Sequence, residues 1–497
     1  MKKSFLLLFP GLLLLHACQN FLDNPQPSDQ LSLNQVFETG SDLEVALTGV
    51  YDIIQQGEVM GGNILALADV LSGNGSGWFE EVSTLNMDAT HWLPERLWVQ
   101  SYRTINQANA ILEALPRILA KDGTLTMETA ARIEGEALFV RGVLYFEMVR
   151  LFALPYSHDP ETDNGVPILL EPVLNKEAIQ FPARASVKEV YQQVTADIEK
   201  AKDLLPEQNG RGRATRFAAL AYLARIAFQK EDYQMAASLS KEILDRNDLF
   251  NLTETPQEFF INEGSGEEIW VIFGSAANDP ITGGLSSVYN DAPETASITG
   301  DLKDKGYKAI LTPAQQAEVQ AAGYLCVDLR CDPDNLFSGG ALLVRNDTTR
   351  CFKYENSWTS GEDDAPVLRL AEIILMRAEA LAKIAGINPE SVELLNQVRR
   401  RSLCVIDGNG STVPGGEKFF EYETDDFQSG NEFIETIVLE RRVELAFEGN
   451  YLHDLMRMKR KVLNNGELFD YDYEKLRLPI PQREIDANRK LQQNEGY

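Results

Sequence analysis

The chain has 497 residues, 44% of them hydrophobic and 24% charged, which is ample material for a packed core and excludes global disorder. Lys and Arg total 46 against 75 Asp and Glu, a net charge of −29 that excludes electrostatic capture of nucleic acid. The length allows several domains or one composite body. No internal apolar run approaches the roughly 20 residues of a membrane span.

The N-terminus, MKKSFLLLFPGLLLLHAC, places Lys2 and Lys3 before an apolar stretch from Phe5 to Leu15. That pattern predicts a secretory signal over residues 1–17. Leu15-His16-Ala17-Cys18 resembles a bacterial lipobox, with His16 departing from its usual small residue. Cys18 is therefore the expected lipidation site, and an ordinary signal peptide with an incidental cysteine is the alternative. A multiply acylated cysteine anchors far better than one chain. Residues 18–35 are polar with two prolines and read as a tether. Removing 1–17 leaves a net charge of −31. Export permits disulfides. Cys326 and Cys331 are close enough to close a small loop, with free thiols as the alternative. His91, His158 and His453 are scattered, and no zinc spacing is present.

Helical periodicity dominates residues 36–250. Trp98, Tyr102, Ile105, Asn109 and Leu112 share one face; Ile133, Ala137, Val140, Leu144 and Met148 another; Tyr191, Val194, Ile198, Ala201 and Leu205 a third. Ser186 with Glu189 forms a capping box, and Pro206 is a stop signal. Residues 213–244 resemble one tetratricopeptide unit, two antiparallel helices with small residues where they meet. From 251 to 362 Gly, Asn, Asp, Ser and Thr become frequent, and Ile269 to Phe273 reads as a strand. Residues 363–497 return to helix: 366–402 as a pair joined through Gly386 and Pro389, and a last helix over about 433–449. Such units stack into one core, so 36–497 is expected to be a single body.

Six blocks stand out in order along the chain: Trp98-x3-Tyr102-x2-Ile105-x3-Asn109, Glu134-Gly135-Glu136-Ala137 with Arg141, Gly165-Val166-Pro167-Ile168, Leu368-Arg369-Leu370-Ala371-Glu372, Glu440 through Gly449, and Leu478-Pro479-Ile480-Pro481 with Gln493-Asn494-x-Gly496-Tyr497. Together they resemble the SusD/RagB family of surface lipoproteins from Bacteroidetes. The resemblance implies a mostly α fold with four tetratricopeptide-like helix pairs, long irregular loops and a few short strands. It implies a glycan- or nutrient-binding protein, exposed on the outer membrane, that caps a SusC-like TonB-dependent transporter. It implies no catalysis and no cofactor. Peptide uptake on the same architecture, a glycoside hydrolase and a plain surface scaffold are the rival readings.

The family motifs themselves read as structural, with Glu440, Arg441, Arg442, Glu444 and Glu448 crowding one helix as ion pairs. Ligand contact is expected on the loops, where flat aromatic faces suit sugar C–H surfaces. The candidates are Trp78 and Asn74 around the glycine-rich run 72–77, Trp92 before Pro94, Tyr289, and Trp358. Trp78 and Tyr289 lead, because a glycine-rich stretch cannot extend a helix core. Trp98 and Trp270 are expected in the core. The acidic run Asp332, Asp334, Asn335 lacks the EF-hand spacing, so a structural calcium is not expected there.

Overall fold

The computed structural model describes residues 37–261, 264–274, 284–289, 297–299, 302, 311–330, 351, 353–354 and 363–497. Helices dominate them, in the order α1 (Gly40–Gln55), α2 (Asn63–Leu71), α3 (Trp92–Lys121), α4 (Met127–Phe152), α5 (Val187–Leu204), α6 (Arg216–Gln229), α7 (Tyr233–Leu244), α8 (Leu370–Ala385), α9 (Pro389–Ser402), α10 (Gly430–Glu444), α11 (Tyr451–Arg457) and α12 (Gln482–Ala487). The helix ends follow local chemistry. Ser186 accepts from the Glu189 N–H while the Glu189 carboxylate accepts from the Ser186 N–H, the reciprocal cap expected from the sequence. Thr39 and Asp42 do the same for α1. The last expected helix stops at Glu444 rather than near 449, because Phe447 and Gly449 take left-handed backbone at φ 66° and 76°.

Packing runs along the chain. α1 lies on α3, α3 on α4, α4 on α5, α5 on α6, α6 on α7, α7 on α8, and α8 on both α9 and α10. The mostly helical fold is the one expected, and this neighbour-on-neighbour packing is consistent with stacked helix pairs. One hydrophobic core extends from Phe37 to Leu491 and includes Trp98 and Trp270, both buried as expected. α4 and α5 meet closely at Gly142, where a Cβ would stand 2.8 Å from Ile198 Cδ1. The short strands form two-stranded antiparallel ladders: Glu268–Ile272 with Ala365–Arg369, Leu325–Asp328 with Leu403–Ile406, Val462–Asn464 with Glu467–Phe469, and Gly75–Ser76 with Ser297–Ile298. No helix among the described residues is long and apolar enough to cross a membrane.

Buried ion pairs hold the C-terminal half together. Arg369 reaches Glu267, Glu444 and Glu448, each at 2.7 Å. Arg330 bonds Glu440 at 2.5 Å and Glu444 at 3.1 Å, and Arg401 bonds Glu267 and Glu444. Further forward, Arg141 pairs with Asp197 at 2.6 Å and bonds Asn109, while Glu134 pairs with Lys200. The chain's last residues close over the end of α4. Asn494 donates to the carbonyls of Phe152 and Leu478, and Arg184 donates to the Gln492 carbonyl and to Asn494 Oδ1. Cys326, Cys351 and Cys404 are free thiols, so Cys326 closes no loop; Cys331 lies outside the described residues.

Candidate ligand-binding site

The loop between α2 and α3 carries most of the sequence candidates, and it is built more tightly than its glycines suggest. α2 is buried along its whole length. After it, Gly73 adopts φ 77°, and a Cβ there would stand 2.0 Å from the Leu463 carbonyl oxygen. The glycine serves close approach of the 462–469 hairpin, not an open loop. Asn74 is fully buried. Its Nδ2 donates to Asp69 at 2.9 Å and its Oδ1 accepts from Arg442 Nε at 2.9 Å. It ties the loop to α10 and is closed off from solvent by its burial. Burial raises the Asp69 carboxyl to about 6, against the hydrogen bonds from Asn74 and the Gly449 N–H.

Trp78, one of the two leading candidates, is 5% exposed and belongs to the core. Tyr289, the other, is 2% exposed, with its ring 4.8 Å from Phe447 and stacked at 6.0 Å on Tyr354. Neither offers a face to a ligand in this structure. Tyr289 is covered by Tyr354 and Phe447, which lie far away in the chain. Trp358, the run 332–335 and Cys18 lie outside the described residues.

Trp92 is the candidate that stands open, at 41% exposure. It is the first residue of α3 rather than a loop residue. Three neighbours fix it. Phe79 meets it edge-on at 5.3 Å and sits 5.3 Å from the buried Trp78. His91 stacks on it at 5.9 Å, and the Arg96 guanidinium lies 5.4 Å from its centroid while pairing with Glu58 at 2.9 Å. His91 also caps α3, its Nδ1 accepting from the Leu93 N–H at 3.3 Å. That bond requires a neutral ring. Burial holds the His91 pKa below its usual value, against the pull of Glu81 and Asp88. Phe79 and Leu85 hold left-handed backbone at φ 46° and 57°, a strain of about 1–3 kcal/mol each that the surrounding packing sustains. Sequence reasoning missed His91 and Arg96. The signal was there in part, since Trp92 and Arg96 are four residues apart at the start of a helix.

Glu440, Glu444 and Glu448 are committed to buried ion pairs and are not free to serve as a hydrolytic pair. They are buried at 1–4% exposure and engaged by Arg330, Arg369, Arg399, Arg401 and Lys353. Burial alone would raise Glu444, but the guanidiniums of Arg401, Arg369 and Arg330 together outweigh it and hold its pKa well below the usual range. Among the described residues no cluster of three or more His, Cys, Asp or Glu is placed to hold a metal.

Comparison with known proteins gives a consistent set. Residues 20–228 match a family model described as "Starch-binding associating with outer membrane", and residues 346–497 match a model described as the SusD family. A SusD-like protein (P2) of Formosa agariphila is 26% identical over the whole of both chains. The starch-binding protein SusD of Bacteroides thetaiotaomicron is 30% identical over 28% of this chain and 22% of its own. A SusD superfamily crystal structure from Bacteroides fragilis superposes with a TM-score of 0.75 at 23% identity, covering 92% of this chain and 99% of the other.

Proposed function

The chain belongs to the SusD/RagB family, and on that premise we propose that it is a non-catalytic glycan-binding protein of the outer membrane, which captures oligosaccharides and passes them to a SusC-like TonB-dependent transporter. The observation that carries the reading is the Trp92 platform: an exposed indole braced by Phe79, His91 and Arg96 at the rigid end of a 30-residue helix. A ring held in place loses little entropy when a sugar stacks on it, so the binding face is pre-organised. The description of the model matching residues 20–228 supports both the glycan and the membrane location. Lipidation at Cys18 supplies the anchor on this reading.

The test is a glycan array followed by titration calorimetry on the full mature chain. Trp92→Ala is expected to weaken the best oligosaccharide by at least about tenfold, near 1.4 kcal/mol. Unchanged binding by Trp92→Ala would sink the platform. Release of reducing ends from a candidate polysaccharide would overturn the non-catalytic reading. Recovery of no β-barrel partner from native membranes would overturn the delivery step.

A further inference from the structure

A second concavity lies along α3 from Trp92 and has no assigned role. Trp98 and Tyr102 of α3 form its floor, Phe181 and Pro182 of the segment before α5 form one wall, and Glu484 of α12 stands on the other. It encloses about 280 Å³. Its mouth is apolar and open, with Val99, Ile179 and Phe181 at 40%, 46% and 48% exposure.

Three observations say what it fits. First, its polar groups are nearly all spent. Tyr102 donates its hydroxyl to the Pro167 carbonyl at 2.7 Å, Asn488 donates to the Pro182 carbonyl at 2.7 Å, and Gln180 donates to Glu171 at 3.1 Å. Glu484 is the exception: its half-buried carboxylate makes no hydrogen bond or ion pair with any described residue. Its neighbour Arg483 pairs with Glu95 at 3.4 Å and acts on Glu484 only through its charge. Burial raises the Glu484 pKa, the mark of a carboxylate short of donors. Second, the groove is lined by flat aromatic rings, those of Trp98, Tyr102 and Phe181, and a flat ring suits the C–H face of a pyranose. A carboxylate beside such a wall accepts from two adjacent hydroxyls of one ring. Third, the groove continues the Trp92 platform. Trp92, Arg96, Val99 and Arg103 are the exposed residues on one face of α3. Trp92 and Val99 are two turns apart, about 10 Å along the axis.

We propose that this groove is a second saccharide subsite, filled by a later ring of the same linear oligosaccharide that rests on Trp92, with vicinal hydroxyls of that ring bonded to Glu484. The proposal rests on the glycan-binding reading and extends it: the ligand is a chain long enough to cover both positions, not a mono- or disaccharide.

The experiment is titration calorimetry of the full mature protein with trimers and hexamers of four glucans and xylans (malto-, laminari-, cello- and xylo-oligosaccharides). Thermal melts first establish that each variant is folded. Wild type is expected to bind one hexamer at least about tenfold more tightly than its trimer. Phe181→Ala and Glu484→Gln are each expected to bring the hexamer down toward the trimer affinity and leave the trimer unchanged. Trp92→Ala is expected to weaken both lengths. If Phe181→Ala and Glu484→Gln bind the hexamer as wild type does, the groove is overturned while the Trp92 reading stands. If only Trp92→Ala binds as wild type, the platform falls and the groove remains. Equal affinity for trimer and hexamer, or no binding of any of the eight sugars, overturns the groove. So does a Glu484→Gln effect confined to lysine-rich peptides, which would make the carboxylate an amine receptor.

Discussion

Trp78 and Trp92 are 14 positions apart, touch the same phenylalanine, and are assigned opposite duties by their exposure. Trp78→Ala is expected to cost about 3–5 kcal/mol of stability in chemical denaturation, as core aromatic truncations do. Trp92→Ala is expected to cost little stability and to be read in binding. Equal stability losses for the two would contradict the assignment. Asp69 offers a second test at this scale. Its carboxyl is raised to about 6 in the folded protein, from an ordinary 3.8, by burial. The folded state therefore holds the proton more tightly than the unfolded chain. The stability this group contributes is complete below about pH 4 and is lost as pH rises through 6, a change of about 3 kcal/mol. Asp69→Asn cannot ionise and keeps an acceptor for one of the two donors, since Asn74 and the Gly449 N–H bond different oxygens of Asp69, so it carries a pH-independent loss beside the titrating term. Its stability relative to wild type is expected to improve between pH 4 and pH 7. A constant offset across that range would refute the argument.

Among the elements, α10 carries the heaviest electrostatic duty, and Glu444 stands at its centre. Three guanidiniums, those of Arg330, Arg369 and Arg401, converge on this one carboxylate. Glu444→Ala leaves them short of an acceptor in a buried site and is expected to cost about 3–5 kcal/mol. Because the folded pKa of Glu444 is depressed, its contribution is present above the ordinary carboxylate range and is lost as the medium turns acid. Denaturation midpoints of wild type and variant should converge as pH falls, and a gap that stays constant would refute the linkage. At this scale the sequence was an effective guide. Apolar spacing marked α3, α4 and α5, Ser186 and Glu189 marked a helix start, and Trp98 and Trp270 were read correctly as core. Those signals are local. The loop aromatics were misread because their covers are remote: the hairpin at Leu463 seals Gly73, Arg442 claims Asn74, and Phe447 lies on Tyr289. The α12 wall of the second groove is likewise more than 380 positions from the α3 floor it faces. No short window of sequence shows such neighbours.

At the scale of the whole molecule, charge and attachment have to be reconciled. On the proposed reading the chain without residues 1–17 would carry −31 and would be repelled by anionic headgroups rather than drawn to them. On the proposed reading, Cys18 and the transporter therefore hold it at the membrane. Cys18→Ala is expected to move the protein from the detergent phase to the aqueous phase in a phase-partition experiment, with its thermal melt unchanged. Persistence in the detergent phase would show that attachment has another source.

The bonds between Arg184 and residues 492 and 494 impose an order of events on biosynthesis. The Arg184 guanidinium meets these two partners across 308 and 310 intervening steps of chain. A nascent polypeptide that has not yet reached them leaves this buried cation, and the carbonyl at the end of α4, without part of their hydrogen bonding. The helices before residue 250 are therefore expected to pair early, with their junction completed only when residues 492–494 are in place. On the proposed reading the chain is exported, and an exported chain would gain from such late locking, remaining pliable during passage and rigidifying on the far side.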